Sequence, residues 1–286
     1  MLTERQAREK TYYEQYALTF DPTKRIDLSP VEGKEQRPWN SYWRTYELSK
    51  RHYQSIYHTP VSLLDFGCGP GDNALRFSKI GYQVTGFDIC EENVKNCREI
   101  FSLYPTDESA RFVVCAAESL PFPDHSFDTI VGIDILHHVD IAAAMNEIHR
   151  VLKENGIAIF REPLDVPLLD RLRNTKLMKK LFPNTPSLDH HITPDERKLN
   201  SEDLKLIRKM FPDMEVERSL ILSRLDKFIR QPGDKRASWL EKMDYFLSKL
   251  VPYWSYLGGA AVIIIRKKTL MSFIPLLPIL NLHQYF

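Results

Sequence analysis

The run "LLDFGCGPGD" at positions 63–72 constrains this chain more than any other part of it. A short apolar segment closes on Asp65, glycines follow at 67, 69 and 71, and a helical pattern begins at once. A strand that ends in glycines and turns directly into a helix lets backbone approach a bound ligand, because no side chain stands between them. The same texture continues downstream. "YQVTGFDI" reads as a strand, "EENVKNCREIF" as a helix, "ARFVVCAA" and "FDTIVGIDIL" as strands, "DIAAAMNEIHRVL" as a helix and "GIAIFRE" as a further strand. Strands alternating with helices predict an α/β protein with a parallel sheet covered on both faces.

At 286 residues with 43% hydrophobic side chains, the chain is long and apolar enough for a sizeable core. Its 39 Lys and Arg against 38 Asp and Glu leave a formal charge of +1, which supplies no overall field for a polyanion such as nucleic acid. Cys68, Cys90, Cys97 and Cys115 form no Cys-x-x-Cys pair and have no His at zinc-ligand spacing, so they read as reduced thiols with no metal. The charged N-terminus lacks the apolar core of an export signal, and a cytoplasmic location is expected. No segment reaches the ~20 apolar residues of a membrane-spanning helix.

The layout predicted from these patterns begins with an N-terminal helical lid (1–58), with helices over 3–19 and 41–57, followed by a cofactor-binding core (59–163). After it come an inserted cap (164–200) and a C-terminal part of the sheet (201–268). In the latter, "SEDLKLIRKMF" is a helix, "EVERSLILSRLDK" and "GGAAVIIIRKK" are strands, and "WLEKMDYFLSKLVPYWSYL" is an aromatic helix. Residues 269–286 form an apolar tail interrupted by Pro275 and Pro278. The sequence reads as a tail that packs on the domain or is simply disordered, or else as one that contacts a membrane surface, a lipid-like substrate or a second subunit.

What the glycine loop holds can be narrowed by exclusion. The third glycine of a dinucleotide fingerprint would fall at Asp72, and an acid at a helix start repels a pyrophosphate. No Gly-Lys-Ser/Thr follows, so a Walker loop is excluded. The ligand that fits carries a positive charge near the loop, where Asp65 accepts a hydrogen bond from an ammonium, and a ribose near Asp88 at the end of the second strand. Those are the needs of S-adenosylmethionine.

"LLDFGCGPGDNALRFSKIGYQVTGFDI", "AAESLPFPDHSFDTIVGIDILHHV" and "EIHRVLKENGIAIFREP" resemble the successive motifs of class I S-adenosylmethionine-dependent methyltransferases, in the style of those that methylate quinones and other small molecules. The resemblance covers residues 61–163. It implies a Rossmann-like, doubly wound, mostly parallel seven-stranded sheet. It also implies that Asp65, Gly67 and Gly69 hold the methionine end of the cofactor, Asp88 its ribose and Ile89 the adenine face, with Asp134 beside the methionine moiety. The family's adenine-binding acid is replaced by Ala116, which leaves the Ala117 backbone and Glu118 for that contact.

Methyl transfer is an in-line displacement with the acceptor atom ~3 Å from the methyl carbon, so positioning supplies much of the catalysis. A general base is needed only when the acceptor loses a proton. His137 and His138 after the fourth strand and Glu162 after the fifth are in reach, and His190 and His191 in the cap are next. With Asp189 and Glu196 nearby the cap histidines could suggest a metal, but adjacent histidines in a loop read as solvated. Tyr12, Tyr13, Tyr16, Trp39, Tyr42 and Trp43, with His191, are expected to roof an acceptor pocket for a small apolar or amphipathic metabolite methylated at oxygen, with carbon or nitrogen open. Asp124 and Asp128 read as turn residues.

Two other classes compete: a non-catalytic S-adenosylmethionine-binding protein and a nicotinamide-dependent dehydrogenase, the latter disfavoured by the missing glycine. A base-flipping enzyme is disfavoured because no Asn- or Asp-Pro-Pro-aromatic tetrad follows the fourth strand and no cysteine follows a proline.

Overall fold

The computed structural model describes residues 2–104, 110–167, 197–226, 230 and 236–268. Their strands form one seven-stranded sheet. In chain order these are β1 (Ser62–Phe66), β2 (Gln83–Asp88), β3 (Arg111–Val114), β4 (Phe127–Ile133), β5 (Leu152–Pro163), β6 (Glu215–Ser219) and β7 (Ala260–Arg266), and in space they run β3-β2-β1-β4-β5-β7-β6. All neighbours are parallel except β7, which is antiparallel to both β5 and β6. The expected mostly parallel, doubly wound sheet is the sheet observed.

The alternation of strand side chains builds a core on each face. From β1, Leu64 and Phe66 pack with Ile148 of helix α6 (Ile141–Val151) and Ile207 of helix α7 (Ser201–Met210). Leu63 points the other way, toward Tyr46 of helix α3 (Ser41–Ser55) and Phe77 of helix α4 (Asp72–Ile80). The remaining α-helices are α1 (Glu4–Ala17), the short α2 (Ser29–Glu32), α5 (Glu91–Leu103) and α8 (Trp239–Leu250). Thr3 and Gln6 form a capping box on α1, and Asn40 caps α3 by accepting from Tyr42 and Trp43 N–H. Because β1 connects to β2 on one side and lies against β4 on the other, strand order reverses there, and open α/β sheets place their ligand crevice at such a point.

Two sequence expectations need correction. The strand predicted over "EVERSLILSRLDK" stops at Ser219, because Leu220 turns to φ +65° and a 3₁₀ turn (Leu222–Leu225) follows. The backbone N–H groups of Ile221, Leu222 and Ser223 are captured by the buried Asp244 carboxylate at 2.9, 2.8 and 3.0 Å, so they are not available to a ladder. The single aromatic helix predicted over 239–257 breaks at Val251, which the following Pro252 holds extended (φ −126°, ψ 90°), and resumes as a 3₁₀ turn, Pro252–Leu257.

Beyond β5, Leu164 bridges Leu199, and Leu199 N–H donates to the Pro163 carbonyl at 3.1 Å. The intervening chain therefore leaves and rejoins the fold at one place. Most of the expected cap, with Asp189, His190, His191 and Glu196, and the whole 269–286 tail lie outside the described residues. No helix among the described residues is long and apolar enough to cross a membrane.

Candidate active site

The glycine loop is pinned by one backbone bond and one bond to a side chain. Cys68 N–H donates to the Phe87 carbonyl at 2.8 Å, and Gly69 N–H donates to Asp88 Oδ2 at 3.0 Å. Gly71, at φ +102°, caps α4, and a Cβ there would lie 2.9 Å from Cys97 Cα, so the loop is pressed against α5. Gly69 differs. Its φ of +51° disfavours a side chain, yet a Cβ there would meet nothing within 4 Å. The loop thus presents bare backbone to open space.

That space is a cleft of about 890 Å³. The loop (Gly67, Cys68, Gly69), Asp88, Ile89, Ala117 and Glu118 form one end. Asp134, His137 and His138 line the middle, and α1 and α3 contribute Tyr12, Tyr13, Tyr16, Tyr42 and Trp43 to the other side. Asp88 Oδ1 accepts from Cys90 N–H at 2.8 Å, and desolvation pushes its pKa up while the Cys90, Asn93 and Gly69 donors oppose the rise. Asp65 sits behind the loop, 2% exposed and off the cleft wall. Burial raises its pKa well above the usual carboxylate range, with the charges of Asp72 and Asp88 adding to the rise, and its Oδ2 has no hydrogen-bond partner.

These residues fit S-adenosylmethionine on one observation, a cradle beside Gly69 that any Cβ would fill, while Asp65, expected to hold the ammonium, lies behind the loop with its Oδ2 unpaired. Glu118 is engaged by the Gln6 side chain at 2.8 Å and by Asp140 N–H at 3.0 Å, which ties α1 to the end expected to take adenine.

Glu162 differs from expectation. It is fully buried and does not face the cleft; Oε1 accepts from Ile135 and Leu136 N–H at 2.9 and 2.8 Å, and Oε2 lies 2.7 Å from His137 Nδ1. With its oxygens so engaged it is not a base for an acceptor. It suspends the 3₁₀ turn Leu136–His138 and orients His137. A carboxylate only accepts, so His137 Nδ1 carries the proton and Nε2 is the basic nitrogen. His138 faces α1 instead, with Nε2 3.0 Å from the Tyr13 hydroxyl and Nδ1 3.2 Å from Glu9 Oε2.

Asp134 adopts φ +56°, accepts the Tyr42 hydroxyl at 2.7 Å and pairs with Arg161, whose guanidinium lies 4.3 Å over the Tyr42 ring. Arg76 pairs with Asp72 and donates to Tyr46 Oη at 3.2 Å. Sequence reasoning missed both arginines. The Asp72–Arg76 pair carried a signal, since i and i+4 share a helix face. Trp39, expected in the pocket, is not there: its ring meets Tyr245 at 6.4 Å and Lys242 at 5.0 Å in a separate groove. Asn40 caps α3 and donates to Glu241 at 2.8 Å, which turns the preceding residue toward α8. Asp124 pairs with Arg150 and Asp128 with Lys153, both at 2.8 Å, away from the cleft. No group of three or more His, Cys, Asp or Glu able to hold a metal gathers among the described residues.

Comparison with known proteins agrees with this geometry. The family described as a methyltransferase domain matches residues 64–160. A demethylmenaquinone methyltransferase of Chlorobaculum tepidum is 36% identical over 145 residues, which cover 50% of this chain and 54% of that protein. A 2-methyl-6-phytyl-1,4-hydroquinone methyltransferase of a Synechocystis species is 37% identical over 115 residues, 38% of this chain and 35% of that protein. The chain thus spans about half the length of the first relative and less of the second. The geranyl diphosphate C-methyltransferase of Streptomyces coelicolor shares the fold, with a TM-score of 0.56 at 14% identity over 93% of this chain and 98% of that one. Residues 64–160 therefore match the family described as a methyltransferase domain, and the fold around them is that of a small-molecule methyltransferase.

Proposed function

We propose that the chain transfers a methyl group from S-adenosylmethionine to a hydroxyl-bearing, apolar or amphipathic small molecule, with oxygen as the accepting atom. The observation that carries this reading is the pairing of His137 with a buried Glu162 on the wall of a cleft whose neighbouring walls are the glycine loop and a set of tyrosines. When bound, the cofactor supplies a methyl group on a positively charged sulfur, open to in-line attack. The residues do the rest. Asp65 and Asp88 hold the cofactor's ammonium and ribose, and Ile89 packs on adenine. His137 takes the acceptor's hydroxyl proton on Nε2, and Glu162 stabilises the imidazolium that forms. Tyr12, Tyr16, Tyr42 and Trp43 exclude water and grip an apolar body while offering polar edges. In this reading residues 1–58 act as a lid and 164–200 as a cap over the acceptor.

A second reading is favoured by the names of the two quinone relatives: removing the proton from a phenolic hydroxyl also makes the neighbouring ring carbon nucleophilic, so the same base serves transfer to carbon. The test is incubation with methyl-labelled S-adenosylmethionine and an extract of the cells that make the protein. Label is expected in organic-soluble small molecules, and hot hydriodic acid, which releases an oxygen-bound methyl as methyl iodide and leaves a carbon-bound methyl in place, separates the two readings. Label in protein or nucleic acid overturns both, and binding without label favours a non-catalytic role.

A further inference from the structure

Antiparallel neighbours such as β6 and β7 can be joined by a turn of a few residues, yet residues 220–259 intervene here and include α8. The sheet does not need this excursion. Helix α8 is firmly seated on its inner side: Ser238 caps it, Leu240 and Asp244 are buried, and Glu241 accepts from Asn40. Its outer side is unusual for a surface helix. The exposed positions are Trp239, Lys242, Met243, Phe246, Lys249 and Leu250. Four are apolar, two are cationic, and none is acidic. Spaced by four, three and four, Trp239, Met243, Phe246 and Leu250 form one stripe, with the two lysines along one edge of it.

The exposures are large: 61% for Trp239 and Phe246, 78% for Leu250, and 82% for Tyr253 just beyond the helix. The helix's two acids are both turned inward to partners, Glu241 to Asn40 and Asp244 to the 221–223 backbone. The cations stay at the surface, with Lys242 over the Trp39 ring and Lys249 over the Tyr245 ring.

We infer that this face docks on a lipid bilayer surface bearing anionic headgroups, with α8 lying in the interface plane. An apolar stripe edged by lysines, with aromatic residues at its ends, matches a surface whose headgroups are negative and whose interior is apolar. A second copy of the chain matches less well, since a two-fold contact sets the same lysines against one another with no exposed acid on the helix to pair with them. The position also suits the cleft. Helix α8 packs on Trp39 and Asn40, and the chain from there runs directly into α3, whose Tyr42 and Trp43 line the acceptor side. An amphipathic acceptor drawn from the bilayer would arrive beside that wall. The docking stands independently of the transfer reaction.

The test is co-sedimentation of the full chain with phosphatidylcholine vesicles, with and without phosphatidylglycerol, checked against unchanged thermal unfolding and cofactor binding of each variant. Wild-type protein is expected to sediment with the anionic vesicles. Phe246→Glu combined with Leu250→Glu should lower the bound fraction at least ~tenfold on either vesicle. Lys242→Ala combined with Lys249→Ala should lower it ~tenfold on anionic vesicles alone. Wild-type binding by these variants would move lipid contact elsewhere, the 269–286 tail included, and overturn the proposal. Absence of wild-type binding would also overturn it, as would lipid-free dimers abolished by Phe246→Glu, which would make the face a contact between copies.

Discussion

The two ends of the cleft are built by different means. At the end expected to take the cofactor the glycine loop meets the Asp88 carboxylate, and the bond from Gly69 N–H to Asp88 Oδ2 joins residues 19 apart in sequence. At the acceptor end the wall is side chains gathered from far apart: Tyr42 reaches Asp134 across 92 residues and Tyr13 reaches His138 across 125. A glycine loop and an acid at the end of the next strand are close in sequence and are set by local conformation. A wall of side chains can be altered one residue at a time. In the proposed reading cofactor recognition and acceptor choice are therefore separable, as they must be if one scaffold is to serve many acceptors.

The strongest test of that separation is His137→Asn, expected to lower kcat by ~10²–10⁴-fold with the cofactor Kd unchanged, read by steady-state rates beside calorimetry. Glu162→Gln should likewise lower kcat without moving the cofactor Kd, whereas a purely structural Glu162 would show in thermal stability and in both constants together. Next in size, Asp88→Ala should weaken cofactor binding by ~1–3 kcal/mol and leave the acceptor KM alone. A matching change in acceptor KM would break the division between the two ends.

Asp65→Asn should act in opposite directions on stability and binding. Removing a buried charge should stabilise the ligand-free protein by about 1 kcal/mol in thermal unfolding, while cofactor affinity falls ~tenfold. The pH dependence sharpens the same point. Asp65 and Asp88 have pKa values raised in the folded state, so the folded chain holds these protons more tightly than the unfolded one. Their contribution to ligand-free stability is full below about pH 4, the unfolded carboxylate value, and is lost as pH rises through the raised folded values. Cofactor affinity needs the charged forms and should climb over that same interval. Parallel slopes for stability and affinity would remove both acids from the cofactor site. The smallest expected effect is Tyr13→Phe, which removes one hydroxyl bond to His138 and should raise acceptor KM a few-fold, about 1 kcal/mol, without touching cofactor affinity.

What could be read from the sequence follows the same line. The glycine loop, Asp88 and the alternation of strands and helices are local patterns, because a turn, a cap or an alternation is written within a few residues of itself. Glu162 was placed near the right strands yet given the wrong work, since nothing in "FREP" reveals that two amides from residues 135 and 136 fold back onto its carboxylate. Trp39 was misplaced for a similar reason: the deciding contact is with α8, some two hundred residues away in sequence. Propensity read "EVERSLILSRLDK" as one strand, and a single buried acid, Asp244, overrode it by capturing the amides. The outward face of α8 was visible only as an aromatic helix, because which stripe of a helix is covered is decided by its neighbours.

The Leu164–Leu199 bridge has a consequence for how such a chain can change over time. A chain that departs and returns at one paired position closes a loop at that point. The entropy of closing such a loop grows only logarithmically, by ~0.6 kcal/mol for each doubling of its length. The end of β5 and the start of the stretch leading into α7 are held side by side by their own bonds, Leu199 N–H to the Pro163 carbonyl among them, whatever length of chain is closed between them.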